Sequence, residues 1–321
     1  MPVTAYISHS WYMDRSCETG GMFPAAFTRN VTGSWGDDGR RWLAGLPMLI
    51  EDIARDWELT VGPPYPLSFN FVAPVRRAGG SPGVLKLGPA EAGHIAREAD
   101  TLGFLGGRGA VEVLARDDKR GALLLERAEP GVTLRTLVPE HDGQATAVLV
   151  DLMRRLHRPA PAGLMLEEIS SRVAAFDAHL ARYPGDDPIP RALVERAREL
   201  WAELCASASR RVVLHGDLHH ENVLAASREP WLAIDPHGAL GDPGYEVGAV
   251  LYNPFDGDEP VLELLPARVE QFADGLGMSV DRVVAWGFVQ AVLFEVWGAE
   301  GGDAEPGQAL RVALTLLPRL P

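Results

Sequence analysis

The sequence predicts an α+β fold of two lobes, and three observations carry that reading. Short apolar or alternating runs, separated by proline- and glycine-rich turns, fill residues 59–126. Beyond Pro130 the apolar positions recur at three- and four-residue spacing. The 321 residues, 46% of them hydrophobic, give room for one large or two ordinary domains with their own cores. The expected division is a loose extension at 1–22, an antiparallel-sheet lobe with one inserted helix at 23–127, and a larger, mainly helical lobe at 128–321.

Each element follows from its local pattern. Trp42, Leu43, Leu46, Ile50, Ile53 and Trp57 mark one face of an amphipathic helix ending near Glu58. Residues 59–62, 69–75 and 84–87 read as strands, divided by Pro63-Pro64-Tyr65-Pro66 and by Gly79-Gly80-Ser81-Pro82-Gly83. A short helix at 91–102 precedes strands at 111–115 and 122–126. In the second lobe, helical stripes run through Val148, Leu152 and Leu156, through Ile169, Val173, Phe176 and Leu180, and through Leu193, Ala197, Leu200 and Leu204. One small sheet is expected from 212–214, 222–225 and 231–234, and helices return at 245–251, 266–276, 280–296 and 308–317.

The net charge of −14 speaks against a nucleic-acid backbone or an anionic membrane as partner, because both are held by positive surface. Ten of those charges are concentrated in residues 231–321, where fourteen acids face four bases. This excess is either a solvated face or an acidic wall that draws a cationic ligand. The longest charge-free apolar stretch, 283–294, is short of the ~20 residues of a membrane span. The first residues hold no apolar run of signal-peptide length, so the expected location is the cytoplasm. Cys17 and Cys205 are far apart in sequence and read as reduced bystanders.

The chemistry concentrates in Leu214-His215-Gly216-Asp217-Leu218-His219-His220-Glu221-Asn222, followed by Ile234-Asp235-Pro236. A carboxylate, an amide five residues on and a second carboxylate at the end of the next hairpin strand are what in-line phosphoryl transfer needs. One carboxylate takes or orients the hydroxyl proton, while the amide and the other carboxylate hold magnesium on the phosphates. Asp217 in a loop leaving one strand, and Asn222 at the start of its neighbour, can converge with Asp235 on a single metal. His215, His219 and His220 alternatively suggest zinc, but no third ligand stands at suitable spacing. His215 reads better as a scaffold for the loop, and His219 as a contact to the transferring phosphate. Gly103, Gly106, Gly107 and Gly109 superficially suggest a dinucleotide loop, yet no apolar strand precedes them.

This segment resembles the catalytic loop of aminoglycoside phosphotransferases, which share the protein-kinase-like fold. His237-Gly238-Ala239-Leu240-Gly241-Asp242-Pro243-Gly244-Tyr245-Glu246 resembles the streptomycin 6-phosphotransferase and hydroxyurea-kinase branch, and the likeness runs from about Phe23 onward. It implies that Asp217 is the catalytic carboxylate, that Asn222 and Asp235 bind Mg2+, and that ATP or GTP is the donor. It also implies that Lys86, on the central strand, is held against the α- and β-phosphates by Glu98, with Glu91 the other available carboxylate. The nucleotide-covering loop then falls between Gly62 and Phe71, where residues 63–70 contain no glycine. Ser68 and Asn70 are its side-chain donors, and Glu126 to Ala128 form the hinge that reads the base.

The implied acceptor is a small hydroxylated cation of the streptomycin kind. Its candidate contacts are Asp242, Glu246, Asp256, Asp258, Glu295 and Trp286, with Trp297, although Asp242 also suits a turn and Trp286 a core. Pro236-His237, where relatives more often carry Pro-Lys, is a departure. Two other readings stand beside this one: a metabolic or biosynthetic alcohol kinase, including one acting on hydroxyurea, and a nucleotide-binding pseudokinase.

Overall fold

The computed structural model describes residues 22–255, 260–301 and 307–321. Contacts divide these into a unit ending at Gly131 and a unit from Val132 to Pro321. Asp256 and Asp258, and nearly all of the expected loose extension, lie outside the described residues.

The first unit opens with α1 (Ala25–Asp56), which starts seventeen residues before the first apolar position of the expected helix. Its first half is rich in Gly, Ser and Thr, poor helix formers. Burial of Phe27 and Val31 compensates, and the helix breaks direction at Gly36, whose φ of 54° suits glycine. Phe27, Val31, Leu46 and Ile53 form one core with Phe71, Ala73, Val75, Leu85, Leu87, Ala122 and Leu124. Full burial of each large member contributes roughly 1.5–3 kcal/mol.

The sheet under α1 contains β1 (Thr60–Val61), β2 (Phe71–Arg76), β3 (Pro82–Leu87), β4 (Val113–Asp117) and β5 (Ala122–Leu125), in the antiparallel order β1-β2-β3-β5-β4. Between β3 and β4 the chain forms α2 (His94–Leu105). In the central strand Lys86 lies opposite Val72 on one side and Leu123 on the other. Side chains alternate across a strand, so Lys86 points to the face opposite Leu85 and Leu87, which belong to the core shared with α1.

The strand β6 (Pro130–Thr133) leads into the second unit, followed by α3 (Asp142–Leu156), β7 (Glu167–Glu168), α4 (Val173–Arg182) and α5 (Arg191–Ala206). Next come β8 (Val212–Leu214), β9 (Val223–Ala226), β10 (Trp231–Ala233) and β11 (Ala239–Gly241). The chain ends in α6 (Tyr245–Tyr252), α7 (Pro260–Leu276), α8 (Val280–Gly301) and α9 (Gln308–Leu316). The single expected sheet is instead two: β10-β9-β6 and β7-β11-β8. β8 pairs with β11, Leu214 opposite Ala239, and not with β9. Strands of two or three residues, such as β7 and β11, are too short to show an alternating pattern.

The helix α8 is long and apolar enough by composition to cross a bilayer, but most of it is buried inside the protein. It is the core of this unit. Trp286 meets Trp201 at 5.4 Å and Tyr245 at 5.9 Å between ring centroids, both edge to face. Elsewhere a buried ion pair ties three helices together. Arg268 on α7, 0% exposed, donates to both carboxylate oxygens of Asp142 on α3, to Val250 O on α6 and to Asn253 O just beyond it. Arg268→Met should cost about 3–5 kcal/mol in urea unfolding, because it leaves Asp142 buried without its cation. The double change Asp142→Leu with Arg268→Met should recover much of that loss.

Candidate active site

The segment from His215 to Asn222 is built on β8. Glu246, 1% exposed on α6, accepts the backbone N–H of His215 at 2.7 Å and of Gly216 at 2.8 Å, one on each carboxylate oxygen. His215 continues the scaffold. Its Nε2 donates to Ile234 O (2.9 Å), and its Nδ1 accepts the Asp217 amide (3.3 Å). That pattern is a neutral ring, in keeping with burial pushing the His215 pKa down. The loop is anchored at its middle by Leu218, which is fully buried.

Asp217 is therefore fixed at both ends. Asn222 Nδ2 donates to Asp217 O at 2.9 Å and to its Oδ2 at 3.2 Å. Asn222 O in turn accepts Ile234 N at 2.9 Å, which registers Asp235 against the loop. Asp235 itself has φ 57°, a left-handed conformation that a non-glycine residue adopts at a cost. With its nitrogen committed to Asp217, the remaining polar atom of Asn222 is Oδ1, an oxygen of the type magnesium takes, as is the Asp235 carboxylate. The donor set thus fits a hard cation.

Two imidazoles flank the Asp217 carboxylate. His219 Nε2 lies 3.6 Å and His237 Nε2 3.8 Å from its Oδ2. Burial alone would raise the Asp217 pKa, but the charges of His219 and His237 outweigh it and hold the carboxyl below its usual range. Burial lowers and the Asp217 charge raises the pKa of His219, and the charge prevails. His220 points elsewhere: it is 0% exposed, and burial together with Arg268 pushes its pKa far down. Among the described residues no group of three or more His, Cys, Asp or Glu is placed to hold a metal ion.

In the first unit Lys86 Nζ sits 2.6 Å from Glu98 Oε2, at 5% and 3% exposure. Glu91 is exposed in a short turn and takes no part in that pair. Ser68 is exposed, and its carbonyl accepts Asn30 Nδ2 at 3.2 Å. At the hinge the Glu126 side chain turns back to accept Glu112 N at 3.0 Å, while the backbone continues through Ala128 to β6.

The expected acceptor carboxylates have other partners. Asp242 accepts Gly244 N at 2.7 Å and pairs with Arg282. Both Glu246 oxygens hold the loop, as described. Glu295 accepts Gly307 N at 2.9 Å and Leu310 N at 2.8 Å, at the start of α9. Trp286 is fully buried in the core, and Trp297 lies beside Arg172. Of the acidic wall, these three carboxylates serve as structural anchors. His237 was missed as a neighbour of Asp217 because the turn carrying it reaches the loop through the unexpected β8–β11 pairing. A lone acid in the otherwise apolar α6 was the available signal for the role of Glu246.

The fold is kinase-like. Residues 65–302 match the aminoglycoside/hydroxyurea antibiotic resistance kinase family, and the chain belongs to it. A streptomycin 6-kinase of Streptomyces glaucescens is 33% identical over 300 residues, covering 88% of this chain and 92% of the relative. A hydroxyurea phosphotransferase of Kitasatospora aureofaciens is 37% identical over 289 residues, covering 88% and 82%. Among solved structures, a thermostable mutant of aminoglycoside phosphotransferase APH(4)-Ia, in ternary complex with ADP and hygromycin B, superposes with a TM-score of 0.55 at 18% identity, covering 83% of this chain and 97% of that one. The protein is a phosphotransferase with an alcohol group as acceptor.

The pKa of Glu246 is lowered: burial opposes its charge, but His157 and the loop amides prevail. A depressed carboxyl contributes stability above its unfolded pKa and loses it as pH falls through the folded one. Glu246→Gln should therefore be less stable than the parent by roughly 2–4 kcal/mol at pH 7. The gap should close as the pH falls below the ordinary carboxyl value of 4.5, in a series of urea titrations.

Proposed function

We propose that the chain transfers the γ-phosphoryl group of a nucleoside triphosphate, ATP or GTP, to a hydroxyl of a streptomycin-like aminoglycoside, directly and in line. The observation that carries this reading is the Asp217 carboxylate, flanked by the His219 and His237 imidazoles and tied through Asn222 to the backbone that registers Asp235. Asp217 accepts the proton of the acceptor hydroxyl as its oxygen attacks phosphorus. The bond to the β-phosphate oxygen breaks, and the nucleoside diphosphate leaves with that electron pair. Lys86, oriented by Glu98, binds the α- and β-phosphates. Asn222 Oδ1 and Asp235 would hold magnesium, which would supply positive charge to neutralise the phosphates. Ser68 and the backbone at Glu126 to Ala128 complete the nucleotide contacts.

The streptomycin 6-kinase and hydroxyurea phosphotransferase relatives frame the choice of acceptor. One observation favours the second reading, a neutral acceptor such as hydroxyurea: Asp242, Glu246 and Glu295 are committed to structural partners. Streptomycin and hydroxyurea offered in turn with ATP and magnesium, with products weighed by mass spectrometry, separate the two. Asp217→Asn should lower kcat by about 10²–10⁴-fold while nucleotide affinity is retained, since a general base acts on the acceptor proton. Turnover undiminished in that variant would remove Asp217 from the mechanism.

A further inference from the structure

Residues 62–70 join β1 to β2 and run beside Lys86, because Val72, two residues past Asn70, lies opposite Lys86 in the sheet. Residues 63–70 have no glycine to bring backbone amides close to a phosphate. Side chains position this segment instead. His94, which opens α2, has Nε2 2.6 Å from Oδ1 of Asn70. An amide oxygen only accepts, so Nε2 carries the proton and donates it. Trp35 of α1 stacks on the same imidazole, with centroids 5.2 Å apart and planes at 10°, and meets Phe69 edge to face at 6.4 Å. Asn30, also on α1, holds the Ser68 carbonyl.

Gly88 is an independent sign that this contact is built in. A Cβ there would stand 2.5 Å from Asn70 Oδ1 and 2.7 Å from His94 Nε2. Gly88 has no room to retreat, since its amide donates to Gly121 O at 3.0 Å. His94 also lies four residues before Glu98, on the same side of α2. The helix that orients Lys86 therefore also orients the loop beside it.

We propose that Asn70 and His94 form a latch that fixes the glycine-free segment beside Lys86. Asn70, its oxygen held by His94, presents its amide nitrogen to a phosphate oxygen of the nucleotide. His94 is a positioning residue, acting through Asn70, and α1 supports it from the far face of the ring. This rests on the kinase reading above and adds to it a nucleotide contact made by a side chain.

Four single variants, one double variant and the wild type, titrated calorimetrically with magnesium–ATP in the absence of acceptor, test the latch. Asn70→Ala removes the contact, and His94→Phe keeps a ring on Trp35 but removes the donor. His94→Gln restores a donor, and Gly88→Ala drives the partners apart without changing either. Asn70→Ala, His94→Phe and Gly88→Ala should each weaken nucleotide binding roughly five- to tenfold, the worth of one hydrogen bond. In steady state, KM for the nucleotide should rise while KM for the acceptor stays put. His94→Gln should recover part of the loss, and Asn70→Ala with His94→Phe should be no worse than Asn70→Ala alone. Variants that melt at lower temperature yet bind nucleotide like the wild type, or losses that simply add, would overturn the latch and leave the kinase reading intact. A wild-type protein that binds no nucleotide would instead sink the kinase reading itself.

Discussion

A single buried carboxylate governs the geometry of the second unit's site. Glu246 takes the amides of two successive residues, His215 and Gly216, and so fixes the direction in which the chain leaves β8. Everything downstream depends on that direction. Asp217 follows one residue later, Asn222 closes the loop back onto Asp217, and Asn222 O sets the register of Ile234 and hence of Asp235. Such hydrogen bonds are strong because the acceptor is charged and shielded from water, and they fix the backbone that carries Asp217. The surroundings of Glu246 explain how a charge survives there: His157 Nε2 lies 3.7 Å away, and α6 is itself held by Arg268 and by the aromatic cluster around Trp286.

The first unit repeats the device with different parts. Glu98, nearly as buried, orients Lys86, and the same helix begins with the His94 that meets Asn70. In both units an acid inside the protein holds other groups in place: Glu246 the amides of His215 and Gly216, Glu98 the ammonium of Lys86. That role also changes the meaning of the acidic C-terminal third. The sequence reading left it as either a solvated face or a wall for a cationic ligand; in the structure Asp242, Glu246 and Glu295 each accept backbone amides. Three of the fourteen acids in that third thus have structural partners.

How much of this was legible in the sequence follows from the length and locality of each signal. Long amphipathic stripes such as the one ending at Trp57, and strands bounded by Pro and Gly such as β2 and β3, were readable because their period repeats. The candidate site was legible for a different reason: Asp217, Asn222 and Asp235 stand at a spacing that in-line phosphoryl transfer would use, and the structure brings Asn222 against Asp217. The first turns of α1 were not readable, since Gly33, Ser34 and Gly36 argue against helix and only the burial of Phe27 and Val31 overrides them. The β8–β11 pairing was hidden by strands three residues long, and with it the approach of His237 to Asp217. Lys86 and Glu98 were a matched pair in sequence. Asn70 and His94 were not, because neither belongs to a periodic pattern and their meeting depends on how the segment after β1 folds back.

The account stands on direct transfer: one displacement at phosphorus, with Asp217 as base and the acceptor oxygen as nucleophile. Two histidines beside Asp217 make the competing chemistry concrete, since an imidazole that first took the phosphoryl group would give two displacements. The stereochemical course separates them. A nucleoside triphosphate made chiral at its γ-phosphorus with oxygen isotopes, turned over with the acceptor and magnesium, should yield a phosphate ester of inverted configuration. Retention would mean a phosphorylated enzyme intermediate and would contradict the role given to Asp217.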